Sequence, residues 1–449
     1  MRDIAIFLVL LGTLPLAMAR PFVGILLWSW MSFMNPHRIT WGFATEMPWA
    51  MMIALATVMG CIIAQEPKRF PPGTTVKLIV AFLILTSITS LLALVPSDEM
   101  YGRWSLVSKI FIMLLLTLSL LTTRKRIHGL IWMIVISIGY FGIKGGAFAL
   151  LTGGGDRVWG PAGSMIHDNN NVAAAMLTVL PLIYYLYQQA ENWYMRAGIA
   201  VVIVLTTFSV VSSQSRGALL GGIAAAGFMW TKTQNKIVSG VAIIFLLGAV
   251  AVFMPQSWYD RMGTIKTYSD SEDITNNRLF LWETGWKIAL ARPLTGAGFY
   301  SPYERSVVEQ YAPGAVARSL HSVWFETLAE HGFPTFFVWL AFPIVAWINA
   351  RRIIMYASAI PDLRWAVDLA RMGQVSIVAF LVAGTFLPLM YYDVYFTIMI
   401  AIAATRILVD KQVAETTDES AISPWRRFMP SAQRRPGFAD GVASRTING

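Results

Sequence analysis

Charge is scarce in this chain, at 13% of 449 residues, against roughly 25% in soluble domains. That scarcity excludes an ordinary soluble protein. Cysteine is nearly absent: Cys61 stands alone inside an apolar block, so no intramolecular disulfide can form and the redox compartment leaves no mark. Histidine is also rare, with five in all. His167 and Asp168 are adjacent, but no Cys or spaced His completes a coordination sphere around them. The acidic run Asp270-Ser271-Glu272-Asp273 lacks the EF-hand pattern and reads as a solvated loop. Neither a metal nor another cofactor is expected, and Gly296-Ala297-Gly298 reads as a flexible turn rather than a phosphate loop.

What the chain has in quantity is apolar sequence, 56% of its residues, in blocks long enough to cross a hydrocarbon core, which takes about 20 residues each. The blocks lie near Ile4–Ala19, Pro21–Met34, Pro48–Ala64, Val76–Val95, Ser105–Leu121, Ile127–Leu151, Asn171–Tyr187, Ala197–Val211, Ala218–Trp230 and Val238–Phe253. After a long interruption come Phe333–Ala350, Gly373–Met390 and Tyr391–Leu408. The expectation is an all-α polytopic membrane protein of twelve or thirteen transmembrane helices, the first two being short enough to be halves of one hairpin. Ala17-Met18-Ala19 resembles a signal-peptide cleavage site, but Asp3 near the start and the second apolar block argue against removal.

A net charge of +10 would fit a nucleic-acid partner, but the positions of the cations give a membrane reason instead. Lys68/Arg69, Arg124/Lys125/Arg126, Lys232/Lys236, Arg351/Arg352/Arg364/Arg371 and Arg426/Arg427/Arg434/Arg435 fall in loops or the tail on one side, which positive residues mark as cytoplasmic. The other side receives Asp98–Glu99, the Gly-rich loop Thr152–Asn170, Arg216 and the long interruption. The expected organisation is N-terminal transmembrane helices over 1–253, a periplasmic loop with an interfacial helix over 254–320, C-terminal helices over 321–408, and a disordered cytoplasmic tail over 409–449. Lys144 faces a cavity or snorkels.

Three stretches put ionisable groups at the outer edge. Ser212-Ser213-Gln214-Ser215-Arg216-Gly217 places Arg216 where a charge is expensive unless paired or wet, though an arginine snorkelling to lipid phosphate fits as well. Asn276-Asn277-Arg278-Leu279-Phe280-Leu281-Trp282 offers an Asn cap and sets Arg278 in the first turn of a helix. A guanidinium beside free backbone N–H groups makes an anion site; a solvated arginine on a surface helix is the plainer reading. His321-Ser322-Val323-Trp324-Phe325-Glu326 opens a helix that Gly332 and Pro334 break, and His321 there is either a general base or a cap. In the Gly-rich loop, His167 and Asn169 are candidates to touch substrate. Two arginines and a histidine on one face suggest a clamp for a diphosphate leaving group with a base beside it.

These stretches resemble the O-antigen ligase and Wzy polymerase superfamily, especially the O-glycosylation ligases associated with exosortase systems. The likeness rests on Ser215-Arg216-Gly217, on Asn277-Arg278-Leu279 with Trp282, and on His321-Ser322 followed by Glu330-x-Gly332, and covers about Trp159 to Ala350. It implies inverting, metal-independent transfer of a glycan from undecaprenyl diphosphate to a lipid, glycan or protein hydroxyl at the periplasmic face of a bacterial inner membrane. Arg216 and Arg278 would hold the diphosphate, Trp282 would contribute to substrate binding, and His321 would take the acceptor proton. A repeat-unit polymerase differs only in its acceptor. A transporter or flippase of lipid-linked glycan is the competing class, although its sites sit near the midplane amid internal repeats, and no repeat is evident here.

Overall fold

The computed structural model describes residues 2–69, 73–233, 235–263 and 278–422. Helices dominate, and no strand occurs among the described residues. In hydrocarbon every backbone polar group must be satisfied within the protein, so apolar blocks of this length have the helix as their only open solution. The order is α1 Arg2–Ala19, α2 Pro21–Met34, α3 Trp49–Ile63, α4 Thr74–Leu91, α5 Asp98–Leu120, α6 Arg124–Leu151, α7 Asn169–Gln189, α8 Trp193–Ser212, α9 Arg216–Lys232 and α10 Lys236–Phe253. Then follow α11 Gln256–Gly263, α12 Arg278–Ala291, α13 Arg305–Tyr311, α14 Val323–Ala357, α15 Arg364–Gly384 and α16 Asp393–Ile422.

Eight of the described helices are long and apolar enough to cross a membrane: α1, α4, α5, α6, α7, α8, α14 and α15. The protein is a multi-pass membrane protein. The remaining apolar blocks lie in α2, α3 and α10, which are shorter, and in α9 and α16. The most buried helices are α7 and α15, which pack on each other and on α9. Around them, α14 joins α4, α15 and α16, while α1, α2 and α3 form a separate apolar cluster around Ile25, Trp49 and Ile53.

Two boundaries depart from expectation, and one open question about a side chain is decided. The last two blocks are not divided at Met390: α15 starts at Arg364 and ends at Gly384, and α16 begins only at Asp393. The intervening turn is held against α14 by Trp324 Nε1 donating to Thr385 (3.0 Å) and Trp339 Nε1 to the Met390 carbonyl (2.8 Å). The tail expected to be disordered from 409 continues α16 as far as Ile422; ion pairs Arg406–Asp410 and Lys411–Glu415 lie one turn apart along it, the spacing that supports an exposed helix. Its arginines from Arg426 onward lie outside the described residues. Finally, Lys144 is exposed and lines no internal cavity.

The break in α14 organises the outer end. Gly332 has φ 72° and ψ −175°, a region open essentially to glycine alone. Pro334 has no N–H for the Glu330 carbonyl, and the bend frees Phe333 N from Ala329 O. All three groups find partners in one loop: Gly298 N donates to Glu330 O (2.9 Å), Ala297 N to Ala329 O (2.8 Å), and Phe333 N to Pro293 O (2.8 Å). The Gly296-Ala297-Gly298 segment is therefore no loose turn; Ala297 is buried and the loop is bonded into the bundle. A β-carbon on Gly332 would approach Pro293 O to 2.6 Å.

Gly332→Ala is expected to cost about 1–3 kcal/mol in backbone strain alone, seen as a lower thermal midpoint and loss of monodisperse protein in detergent. Gly227→Ala in α9, with open space around it, should change neither.

Candidate functional site

Each functional side chain stands at or just before a helix start. Arg216 is the first residue of α9. Ser215 caps that helix, its hydroxyl accepting from Ala218 N at 3.2 Å, and the turn before it is tight enough to hold Gln214 at φ 55°. Arg278 is the first residue of α12; Asn276 and Asn277, expected from the sequence as caps, and the acidic run at Asp270 lie outside the described residues. His321 precedes α14 with φ 48°, and its N–H donates to Ser319 Oγ at 3.1 Å.

Phe386, in the turn after α15, touches the start of α9 and lies beneath Arg278. Its ring lies 5.7 Å below the Arg278 guanidinium, and a β-carbon on Gly217, next to Arg216, would sit 3.2 Å from Phe386 Cβ. Trp282 completes the platform, stacked on Phe325 (5.4 Å, 17°) and 6.1 Å from Phe386; its indole N–H is buried with no partner among the described residues. Aromatic faces beneath a guanidinium hold the cation in place.

His321 sits in a field of three charges. Burial first, then the positive Arg278 and Arg318, push its imidazole down to about 4, against the opposing pull of Asp168. The ring is therefore neutral near pH 7 and retains a lone pair. Asp168 is itself fixed by capping α7, with Oδ1 accepting from Asn170 N and Asn171 N at 2.7 Å each. Its neighbour Asn169 is buried and donates to the Ser213 carbonyl at 2.7 Å, tying the start of α7 to the Arg216 turn. His167 is exposed beside Trp159, ring to ring at 6.2 Å, and its backbone closes the Gly-rich loop through Gly160 N.

Arg216, Arg278, Trp282 and His321, distant in sequence, are thus assembled around α7, α9, α12 and the start of α14. Sequence reasoning missed Arg318 and Phe386. Arg318 stands one turn's length before His321 and is legible as a nearby charge; Phe386 is one phenylalanine among 25 and carries no signal. No grouping of three or more His, Cys, Asp or Glu suited to a metal ion occurs among the described residues.

Comparison with known families places this geometry. Residues 200–340 match the model described as O-antigen ligase, a stretch that holds Arg216, Arg278, His321 and Gly332. Residues 1–191 match a family of unknown function, DUF5935. No curated protein matches the chain. Residues 200–340 are thus similar to an O-antigen ligase domain, a likeness that supports a ligase- or polymerase-type membrane enzyme.

Removing a positive neighbour favours the imidazolium, so Arg318→Gln should raise the His321 pKa from about 4 toward the ordinary value near 6.5. Nitrogen-15 histidine NMR of the protein in nanodiscs checks this; an unchanged titration would remove Arg318 from the causes and leave burial, Arg278 and Asp168 to set it.

Proposed function

We propose that the protein transfers a glycan from undecaprenyl diphosphate to a hydroxyl acceptor at the periplasmic face of the bacterial inner membrane, with inversion and without a metal. The observation that supports this most is the shared placement of Arg216 and Arg278 about Phe386, with Arg278 also acting on the imidazole of His321. Clamp and base are then one electrostatic unit.

In the proposed step the acceptor oxygen forms a bond to the anomeric carbon while the bond from that carbon to the diphosphate oxygen breaks. The electron pair leaves with the diphosphate, and the acceptor proton passes to His321. Single displacement at that carbon accounts for inversion. Arg216 and Arg278 stabilise the charge that grows on the leaving group through charge-assisted hydrogen bonds. Without donor, the arginines keep His321 a weak base. A bound diphosphate offsets their charge and strengthens the imidazole's hold on a proton, so the base gains strength once the donor is seated. The acceptor separates the possible branches: a lipid or protein hydroxyl makes a ligase of the kind associated with exosortase systems, another repeat unit a polymerase. Asp98 and Glu99 open α5, while the cationic loops around Arg124–Arg126 and Arg351–Arg371 lie at the other end of the bundle, which supports the periplasmic assignment.

The test is acceptor-dependent release of undecaprenyl diphosphate from a lipid-linked oligosaccharide by the protein in liposomes. Arg278→Ala should abolish release. His321→Ala should slow it by roughly 10²–10⁴-fold, as expected for a lost general base, and EDTA should leave the rate unchanged. For kcat/KM, which reports the free enzyme, activity should fall as pH drops through about 4, with the corresponding limb of kcat at higher pH. Glycan crossing the bilayer without any release would instead make the protein a transporter.

A further inference from the structure

Beside the first turns of α14 lies a second polar cluster, apart from the arginine clamp. Glu326 and Glu330 lie one turn apart, 3% and 2% exposed. Glu330 is engaged on both oxygens, accepting from Tyr391 Oη at 2.5 Å and from Tyr300 N at 2.9 Å. Glu326 is not: its Oε2 is buried with no partner among the described residues. Two hydroxyls near it in the chain and the fold, Ser322 Oγ and Ser301 Oγ, are buried and unpartnered in the same way. Arg103 of α5 acts electrostatically on Glu326, Glu330, Tyr391 and Tyr303, yet makes no direct hydrogen bond or ion pair with either carboxylate among the described residues. Tyr303 bonds Ser319 and stacks flat on Tyr300, with centroids 4.5 Å apart and planes at 11°.

A buried carboxylate oxygen without a donor is destabilising until something supplies one. Arg103 has donors to give but stands too far away to give them directly, so the cluster is built around an occupant that bridges the two. Two carboxylates repel an anion, and Arg103 repels an ammonium. What remains is a neutral group that donates and accepts at neighbouring atoms, which adjacent hydroxyls on a sugar ring do, while the paired tyrosines offer an aromatic face to its C–H side. We propose that Arg103, Glu326 and Tyr303 form a subsite for a neutral sugar ring, belonging to the donor glycan or the acceptor, alongside His321. The assignment to a sugar rests on the glycan-transfer reading above. It adds specificity by hydroxyl recognition, since a substrate lacking the matching hydroxyls leaves these buried groups unpaired.

The full chain in nanodiscs provides the test, with wild type, Arg103→Gln, Glu326→Gln and Tyr303→Leu compared in two assays. In saturation-transfer NMR the probe is the oligosaccharide freed by mild acid from the lipid-linked donor. Contact signals are expected with wild type and should be lost in all three variants. In steady-state transfer, KM for one substrate should rise about tenfold to a hundredfold, the cost of hydrogen bonds lost to charged groups, with kcat within about threefold. A rise for the donor assigns the sugar to the donor glycan, and a rise for the acceptor assigns it there. Tyr303→Leu removes the aromatic face and no charge, so it reports even if a buried-charge variant fails to fold. Equal signals and equal KM in wild type and Tyr303→Leu would overturn the subsite and leave ordered water as its only occupant. Wild type that binds the oligosaccharide at these residues but releases no undecaprenyl diphosphate would retain the subsite and remove the transferase reading.

Discussion

The bend at Gly332 is the constraint on which the outer end of this protein depends. A membrane helix that breaks must hand its freed backbone groups to some other part of the protein, because lipid offers no hydrogen bonds. Here the recipient is the loop 293–298, which satisfies Ala329 O, Glu330 O and Phe333 N together. That exchange anchors the segment joining α12 to α13 against the bundle, and with it the helix that begins at Arg278. The side chain of Glu330 strengthens the same joint by binding Tyr300 N and Tyr391 Oη, and His331 joins Thr89 at 2.6 Å to Tyr391. One bend therefore fastens α4, α14, the α15–α16 turn and the loop after α12.

Around this joint the site is made of helix beginnings. The starts of α7, α9 and α12 and the approach to α14 converge, so the positive ends of several helices face one region. Capping residues do two jobs at once: Asp168 closes α7 and tempers the charge at His321, and Ser215 closes α9 beneath Arg216. The opposite end of the bundle has a different character. There Arg126 pairs with Glu66, Gln189 bonds Asp368 at 3.2 Å, and a cavity of about 710 Å³ opens between Arg124, Trp365 and Lys411. The two ends differ in charge as well as in architecture, as a protein of fixed orientation requires.

Much of this was legible in the chain. Hydropathy blocks located the helices, since a span must be apolar over a set length wherever it sits in the bundle. Arg216, Arg278 and His321 stood out because ionisable residues at membrane edges are costly and need a reason. Boundaries near 364 and 385–392 were less legible: Arg364 to Arg371 is polar enough to pass for a loop, and only packing of Trp365, Asp368 and their neighbours against the bundle shows it to be helix. The Gly296-Ala297-Gly298 turn misled for a similar reason, because glycines permit both a loose turn and a close backbone approach, and the choice depends on partners 32 residues away, Ala329 and Glu330.

Composition and periodicity alone determined that this is a many-helix membrane protein, and scarcity of charge determined which side chains merited attention. Both are local properties, set by the cost of placing each residue in hydrocarbon. The tertiary structure decided which of those side chains meet. Phe386 beneath Arg278, and Arg103 near the unpartnered Oε2 of Glu326, are relations between elements far apart in sequence. No pattern within one segment encodes them, because they arise from how the bend at Gly332 and the packing of α7, α9 and α15 orient whole helices toward one another.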